Sequence, residues 1–233
     1  SLTFGVAGYT LKDGTVTLAG PSVVADGGAT ILSALAGATG LVKGGTGGTL
    51  TLGGANSFTG GLTVNAGTVA VSQDAQLGAA GEGLTLAGGT LRVNGTLNTI
   101  TRPLTLGAGG GTLSLGTYLN YNGAITGGTG IACSGSDIIL APPSPNSFGT
   151  FTLTGSRLFV NNANAIANNA VLVIAGGGKL AFQGGSAPTA PANTINLSCG
   201  CGVCMRSSVP ADLTLSTTNA TFPASGSFGF NND

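Results

Sequence analysis

The stretch GGTLTLGGANSFTGGLTVNAGTVAV, residues 47–71, decides the fold of this chain. Apolar residues alternate in it with Thr or Ala over three or four positions, and glycine or asparagine then interrupts the alternation. A period of two indicates β-strands with one side toward a core, and glycine and asparagine favour the backbone angles of tight turns. The segment therefore predicts short strands, rich in Thr, Val and Leu, joined by sharp corners.

The composition of the whole chain agrees with an ordered β protein. Of 233 residues, 44 are glycine, 42% are apolar and only 6% are charged. The net charge is zero, which argues against nucleic-acid binding because that requires clustered Lys and Arg. The longest apolar run, residues 29–42, is broken by glycine and is shorter than the ~18 residues of a membrane-spanning helix. We therefore expect no nucleic-acid partner and no membrane insertion of this segment.

The outward positions of the predicted strands carry Thr, Ser, Ala or Gly instead of charges. Sandwiches and barrels turn one strand face to water, where charged residues are usual. In a parallel β-solenoid each coil stacks on the next, so that Leu, Val and Ile form a continuous inner column. Three strands plus corners give a coil of roughly 20–25 residues. The pattern predicts an all-β chain folded as a parallel β-helix, or β-solenoid.

The chain also repeats at long range. The motif ANSFTGG at 55–61 returns as PNSFGTF at 145–151, and this spacing would contain about four coils. We interpret residues 1–233 as a single solenoid. It has upstream coils at 1–40, a first long repeat at 41–130, and a second, diverged repeat with a cysteine-containing loop at 131–233.

Residues 48–93 resemble the autotransporter-associated β-strand repeat of bacterial surface proteins. The resemblance rests on TLTL at 49–52, ANSFTGGLTVNAGT at 55–68, DAQLG at 74–78 and LTLAGGTLRV at 84–93. It implies a right-handed parallel β-helix, exported and displayed outside the cell or on its outer surface. It implies no chemistry, since such repeats act as a stalk or scaffold.

Four cysteines depart from that family pattern: Cys133, Cys199, Cys201 and Cys204. An even number in an exported protein suggests disulfides. Cys133 lies about three coils from the other three, or ~14 Å along the rod, beyond the ~7 Å reach of a bridge. A Cys199–Cys204 or Cys201–Cys204 pair is therefore preferred. Cys133 would then be a buried apolar residue, with its repeat counterpart near Val42, or would bond to another chain.

Zinc and redox chemistry are the alternatives for the cysteines. The spacing C-x-C-x₂-C plus a distant fourth cysteine is not a recognised zinc ribbon. The sequence around Cys201 and Cys204 also predicts no helix N-terminus to activate a thiol. We therefore expect neither a metal nor a cofactor.

A carbohydrate-cleaving β-helix is the alternative to a scaffold. Glycoside hydrolysis needs two carboxylates ~5–10 Å apart, and Asp74 and Glu82 are the candidate pair. Capping or turn formation is the preferred interpretation of Asp74. Arg92 and Arg102 could contact an acidic sugar, but solubilising surface residues are the simpler interpretation. Since the chain has no histidine and one glutamate, the sequence predicts no catalytic residue.

The sequence as a whole predicts a non-enzymatic extracellular scaffold: a solenoid segment of a surface adhesin, stalk, sheath or self-assembling filament. Thr-rich strands also raise an ice-binding interpretation, but Thr-x-Thr does not recur at a constant coil spacing. Neither end shows a polar cap, so we expect end-to-end self-association, or continuation of the solenoid into further sequence. Surface glycans are the other expected class of partner.

Overall fold

The protein is a parallel β-solenoid in the computed structural model. The structure describes residues 2–45, 47–162, 164–167, 170–182, 194–197, 202–205 and 230–232. These residues form 26 strands, numbered β1 to β26 in chain order. Every strand pairing is parallel. The predicted fold class is confirmed, and the right-handed turn of the coil stays a prediction.

Successive strands lie on three faces of the coil. Face 1 is a seven-stranded sheet of β1 (Leu2–Phe4), β4 (Ser22–Ala25), β7 (Leu41–Gly44), β9 (Leu62–Val64), β11 (Leu84–Leu86), β14 (Leu104–Leu106) and β17 (Ile125–Thr126). Face 2 is a ten-stranded sheet of β2 (Tyr9–Leu11), β5 (Ala29–Ile31), β8 (Thr49–Leu52), β10 (Thr68–Val71), β12 (Thr90–Val93), β15 (Gly111–Leu115), β18 (Gly130–Ser134), β20 (Thr150–Thr154), β22 (Val171–Ala175) and β24 (Thr194–Leu197).

Face 3 consists of two sheets separated by two coils. The first contains β3 (Thr15–Thr17) and β6 (Ala34–Ala36). The second contains β13 (Thr99–Ile100), β16 (Leu119–Tyr121), β19 (Ile138–Leu140), β21 (Arg157–Val160), β23 (Lys179–Phe182), β25 (Gly202–Met205) and β26 (Phe230–Asn232). In the described part of the chain, no helix is long and apolar enough to cross a membrane.

Inward side chains form columns along the solenoid axis. One column of face 2 runs through Ala29, Leu50, Val69, Leu91, Leu113, Cys133, Leu153 and Ile174, all buried. Its paired members are 19 to 22 residues apart in sequence, close to the predicted coil length. Each buried aliphatic side chain contributes about 1.5–3 kcal/mol of hydrophobic stabilisation. The core is therefore a continuous column, as the alternating pattern predicts.

Two successive coils lack a strand on face 3. In the first of them, the motif Asn-Ser-Phe at residues 56–58 takes the place of the strand. The Asn56 side chain accepts a hydrogen bond from the Leu35 backbone N–H (2.8 Å) and donates one to the Gln76 carbonyl (2.6 Å). The side-chain amide of Asn56 thus connects the preceding coil, which contains Leu35, with the following coil, which contains Gln76. Phe58, two residues on, is fully buried. The next coil fills the same face with a short 3₁₀-helix, Asp74–Leu77.

The second copy of this motif makes the same contacts. The Asn146 side chain accepts a hydrogen bond from the Ile125 N–H (2.7 Å) and donates one to the Ala165 carbonyl (2.8 Å). Phe148 is buried as Phe58 is. The sequence similarity of the two copies therefore reflects one local structure, whereas the division of the chain into long repeats stays a prediction.

The two copies nevertheless lie on different faces. Asn56 follows β8 and occupies face 3, whereas Asn146 follows β19 and continues face 1 beyond β17. After Asn56, face 3 continues with the 3₁₀-helix, β13, β16 and β19, and β19 is the strand directly before Asn146. The repeat thus spans four coils and one further face, not four whole coils.

Gly60 and Gly61 show why a glycine pair precedes β9. Their φ angles are +89° and +80°, which disfavour residues with a side chain. A Cβ on Gly61 would lie 2.5 Å from the Gly83 carbonyl oxygen of the next coil. The corner thus needs glycine both for its backbone angle and for the close approach of two coils.

Candidate functional surface

The outer sides of faces 1 and 2 are ladders of small hydroxylated residues. On face 1, Thr63, Thr85, Thr105 and Thr126 lie on successive strands. On face 2, the successive threonines are Thr49, Thr68, Thr90 and Thr112. Threonine suits this position because its branched Cβ favours strands and its hydroxyl can meet the next rung.

These two faces carry almost no charge. Among the described strands of faces 1 and 2, only Lys43 and Arg92 are charged. Lys43 points inward, whereas Arg92 is exposed between Ala70 and Ser114 on neighbouring rungs. The outer sides of faces 1 and 2 are therefore nearly uncharged and rich in hydroxyl groups, with Arg92 as the one exposed cation on their described strands.

The hydroxyl ladders of face 2 are single rows rather than a regular double row. Thr49 and Thr51 form one Thr-x-Thr pair, and Thr152 and Thr154 another. Between them the second row continues as Ala70, Arg92, Ser114 and Ser134. An ice-binding face would need an unbroken lattice of threonines, so the arrangement does not favour that function.

Asp74 and Arg102 form a pair that holds the corner after β10. The guanidinium donates to both Asp74 carboxylate oxygens at 2.9 Å. It also donates to the backbone carbonyls of Ala79 (2.7 Å) and Gly78 (3.0 Å). Arg102 is 2% exposed and Asp74 is 45% exposed. The solubilising interpretation of Arg102 is wrong: the guanidinium is buried because it satisfies the carbonyls of an irregular loop.

Tyr121 supports Arg102 from the next coil. The fully buried Tyr121 hydroxyl donates a hydrogen bond to the Arg102 carbonyl oxygen at 2.9 Å. Burial raises the pKa of Tyr121, so the hydroxyl stays protonated and remains a donor. Arg102 is therefore fixed by its backbone and by its side chain.

Glu82, the other candidate carboxylate, also has a structural contact. Its carboxylate oxygen accepts a hydrogen bond from the Gly60 backbone N–H at 2.9 Å. That N–H lies at the corner before β9, one coil away. Both acidic residues that suggested a glycosidase are thus engaged in holding corners together.

Lys43 is an ionisable residue that the sequence analysis did not single out. It occupies the inward column of face 1 between Val23 and Val64, fully buried. Its ammonium donates to the carbonyls of Gly44 (2.6 Å), Gly47 (3.2 Å) and Ala66 (3.3 Å). Desolvation lowers the pKa of Lys43, and the charge of Asp26 opposes this shift. The only sequence signal was its inward position between Leu41 and the corner glycines.

Cys133 is buried in the face 2 column with an exposure of 1%, between Leu113 and Leu153. Burial raises the pKa of its thiol to about 12. Among the described residues the thiol is free, and its burial agrees with the interpretation of Cys133 as a buried apolar residue. Near Val42, where the repeat counterpart of Cys133 was expected, the inward residue is the buried Lys43.

Most cysteines of the predicted disulfides lie outside the residues that the structure describes. Cys199, Cys201 and the side chain of Cys204 lie outside the described residues. The preference for Cys199–Cys204 or Cys201–Cys204 therefore stays a prediction. Cys204 belongs to β25, where it pairs in register with Ala181.

Known proteins resemble this chain in sequence. Residues 41–71, from β7 to β10, match the passenger-associated-transport-repeat family. The adhesin BmaC autotransporter of Brucella suis biovar 1 (strain 1330) is 32% identical over 182 residues, which cover 75% of this chain. The chain spans about 5% of the length of that adhesin. Comparison with solved structures gives no significant match.

The matched residues coincide with structural features already described. Residues 41–71 contain the Asn56 bridge and the Gly60–Gly61 corner. They also contain two threonines of the face 2 ladder, Thr49 and Thr68, and one of the face 1 ladder, Thr63. The sequence pattern of this repeat family therefore corresponds to the corners and the inward columns of a solenoid. The chain is an autotransporter passenger-like repeat protein.

Proposed function

We propose that this chain is a non-enzymatic scaffold segment of an adhesin displayed outside the cell. The main observation that supports this proposal is the parallel stack of coils around a buried, mainly aliphatic column. Such a stack transmits force through backbone hydrogen bonds and side-chain packing along one axis. The similarity to an autotransporter adhesin supports placement on the cell surface.

The chemistry of the candidate carboxylates supports a scaffold rather than a hydrolase. Asp74 is bound to Arg102, and Glu82 accepts a hydrogen bond from a corner N–H. A general acid or nucleophile has to reach the substrate and change its protonation or bonding. These two carboxylates instead stabilise corners of the coil.

Surface display is tested with antibodies raised against the purified chain. Labelling of intact source cells, lost after brief protease treatment of those cells, is the expected result. Labelling that requires permeabilised cells would contradict the proposed location.

Catalysis and glycan binding are tested separately. Incubation with a panel of neutral and acidic polysaccharides should release no reducing ends, and release would contradict a pure scaffold. Co-sedimentation with the same insoluble polysaccharides tests for glycan partners. Binding without cleavage agrees with an adhesin, and the variant Arg92→Gln then tests whether the exposed cation of face 2 contributes.

A further inference from the structure

A row of polar side chains runs along the outer side of face 3. Arg157 begins β21 and pairs in register with Lys179, which begins β23. Asp137 directly precedes β19 and Tyr118 directly precedes β16, so both continue the row on the two preceding rungs. We call these four residues the face 3 row. Because rungs lie ~4.8 Å apart, the row extends over ~14 Å.

Tyr118 provides an exposed aromatic ring at one end of the face 3 row. It is 39% exposed, whereas Tyr121 in the adjoining strand β16 is fully buried. The Tyr118 hydroxyl donates a hydrogen bond to the side-chain oxygen of Asn120 at 3.1 Å, and this contact orients the ring. An oriented aromatic ring at the surface is flat and apolar, so the apolar side of a sugar ring can pack against it.

Arg157 is held in a fixed orientation in the middle of the row. Its guanidinium donates two hydrogen bonds to Oδ2 of Asp137, at 2.8 and 2.6 Å, and lies 5.3 Å from the centroid of the Phe159 ring. The Arg157 side chain is nevertheless 48% exposed. A planar guanidinium recognises carboxylate groups through charge-assisted hydrogen bonds. Its fixed orientation lowers the entropic cost of binding such a group.

Positive charge exceeds negative charge in the face 3 row. Arg157 and Lys179 lie opposite each other on paired strands, whereas Asp137 is the one carboxylate of the row. Like charges directly opposite each other in a sheet are destabilising, so an anionic group bound beside them would be stabilising. On the described strands of faces 1 and 2, by contrast, Arg92 is the one exposed cation. Face 3 is therefore the side of the solenoid best suited to an anionic ligand.

We propose that the face 3 row binds an acidic polysaccharide that contains uronic acids. Tyr118 packs against one sugar ring, and Arg157 and Lys179 bind a carboxylate further along the same glycan. The proposal rests on the adhesin function proposed above and adds a ligand class and a site to it.

Other anionic polymers fit the row less well. An acidic peptide would gain most from pairing with a free strand edge, but β16, β19 and β21 each have a neighbour on both sides. A nucleic acid requires a larger cluster of cations than two side chains. A glycan needs neither, because an aromatic ring and a few oriented polar groups are sufficient for it.

The experiment is isothermal titration calorimetry of the purified chain with uronic-acid oligosaccharides from pectin, alginate and hyaluronan. At least one of them should bind with a Kd between about 10 µM and 1 mM. Its carboxyl-reduced, neutral counterpart should bind at least ~10-fold more weakly, and added salt should weaken the acidic complex. No binding of any acidic oligosaccharide would overturn the proposal, as would equal binding of the neutral form. Tighter binding of polyglutamate would show a peptide site instead.

Two pairs of matched variants locate the site. Tyr118→Ala and Lys179→Gln should each weaken binding by at least ~5-fold. Tyr9→Ala and Lys12→Gln remove the same side chains from exposed positions of the first coil and should bind like the unchanged chain. Equal binding within either pair would refute the assigned row. Circular dichroism of each variant checks that the β fold is retained, and surface labelling of cells tests the proposed location independently.

Discussion

Arg102 shows how one buried cation organises an irregular segment. Its guanidinium binds the Asp74 carboxylate and the carbonyls of Ala79 and Gly78, which no regular strand satisfies. Neighbouring residues give no sign of this role, because the loop that it holds precedes it by more than 20 residues. A sequence pattern identifies a strand by its own period, but it cannot identify a partner one coil away.

Arg102→Gln should lower the free energy of unfolding by about 3 kcal/mol, because it leaves buried carbonyls and the Asp74 carboxylate without their donor. The measurement is urea denaturation followed by circular dichroism. Arg92→Gln is the matched control, since Arg92 is exposed on face 2, and should change the free energy by less than ~0.5 kcal/mol. Equal effects of the two substitutions would contradict the assigned role of Arg102.

Cys133 provides a second test at the scale of one residue. Burial raises the pKa of the thiol to about 12, so almost no reactive thiolate is present at mildly alkaline pH. Iodoacetamide should leave Cys133 unmodified in the folded protein and modify it in concentrated urea, as read by peptide mass spectrometry. Modification at the same rate in both conditions would show that the thiol is accessible in the fold.

At the scale of elements, the Asn-Ser-Phe motif replaces a strand. Asn56 and Asn146 each use one side-chain amide to connect the coil before with the coil after. A buried backbone group without a partner costs free energy comparable to a lost hydrogen bond, so the amide allows an irregular corner inside the stack. The phenylalanine two residues later then fills the core where an inward strand residue would lie.

Asn56→Ala should therefore destabilise the fold by about 1–3 kcal/mol, since the Leu35 N–H and the Gln76 carbonyl each lose a partner. Asn65→Ala is the control, because Asn65 is exposed at a corner after β9. Both are measured as shifts of the urea midpoint at constant slope. An Asn56→Ala midpoint as high as that of the control would show that the bridge contributes little.

The repeat motif also limits what the sequence can reveal about elements. The two similar segments at 55–61 and 145–151 predict the same local structure, and the side-chain amide bridges of Asn56 and Asn146 agree with this. They do not predict equal position, because the intervening residues form four coils and one additional face. A shift of one residue reverses inward and outward positions in a strand, so only the observed register shows that Lys43, and not Val42, points inward.

At the scale of the whole molecule, stability is expected to vary along the axis. In a solenoid each coil contacts only its neighbours, so the local stability of a coil depends on how fully those neighbours bury it. The half-buried residues Leu11 and Val16 at the first coil, compared with Leu50 and Val69 further along, show this difference directly.

Amide hydrogen exchange should therefore be faster in β1, β2 and β3 than in β8, β10 and β12. Uniform exchange along the chain would contradict the nearest-neighbour description of this fold.

The sequence by itself determined the strands, the corners and the parallel solenoid, because a two-residue period and glycine angles are local properties that need no distant partner. Outward threonines, inward aliphatic residues and the burial of Cys133 follow from the same period. Tertiary structure alone decided which residues meet across coils: Arg102 with Asp74, Asn56 with Leu35 and Gln76, and Lys43 with three carbonyls. The stack fixes those contacts, since corner lengths set which residues face each other from one coil to the next.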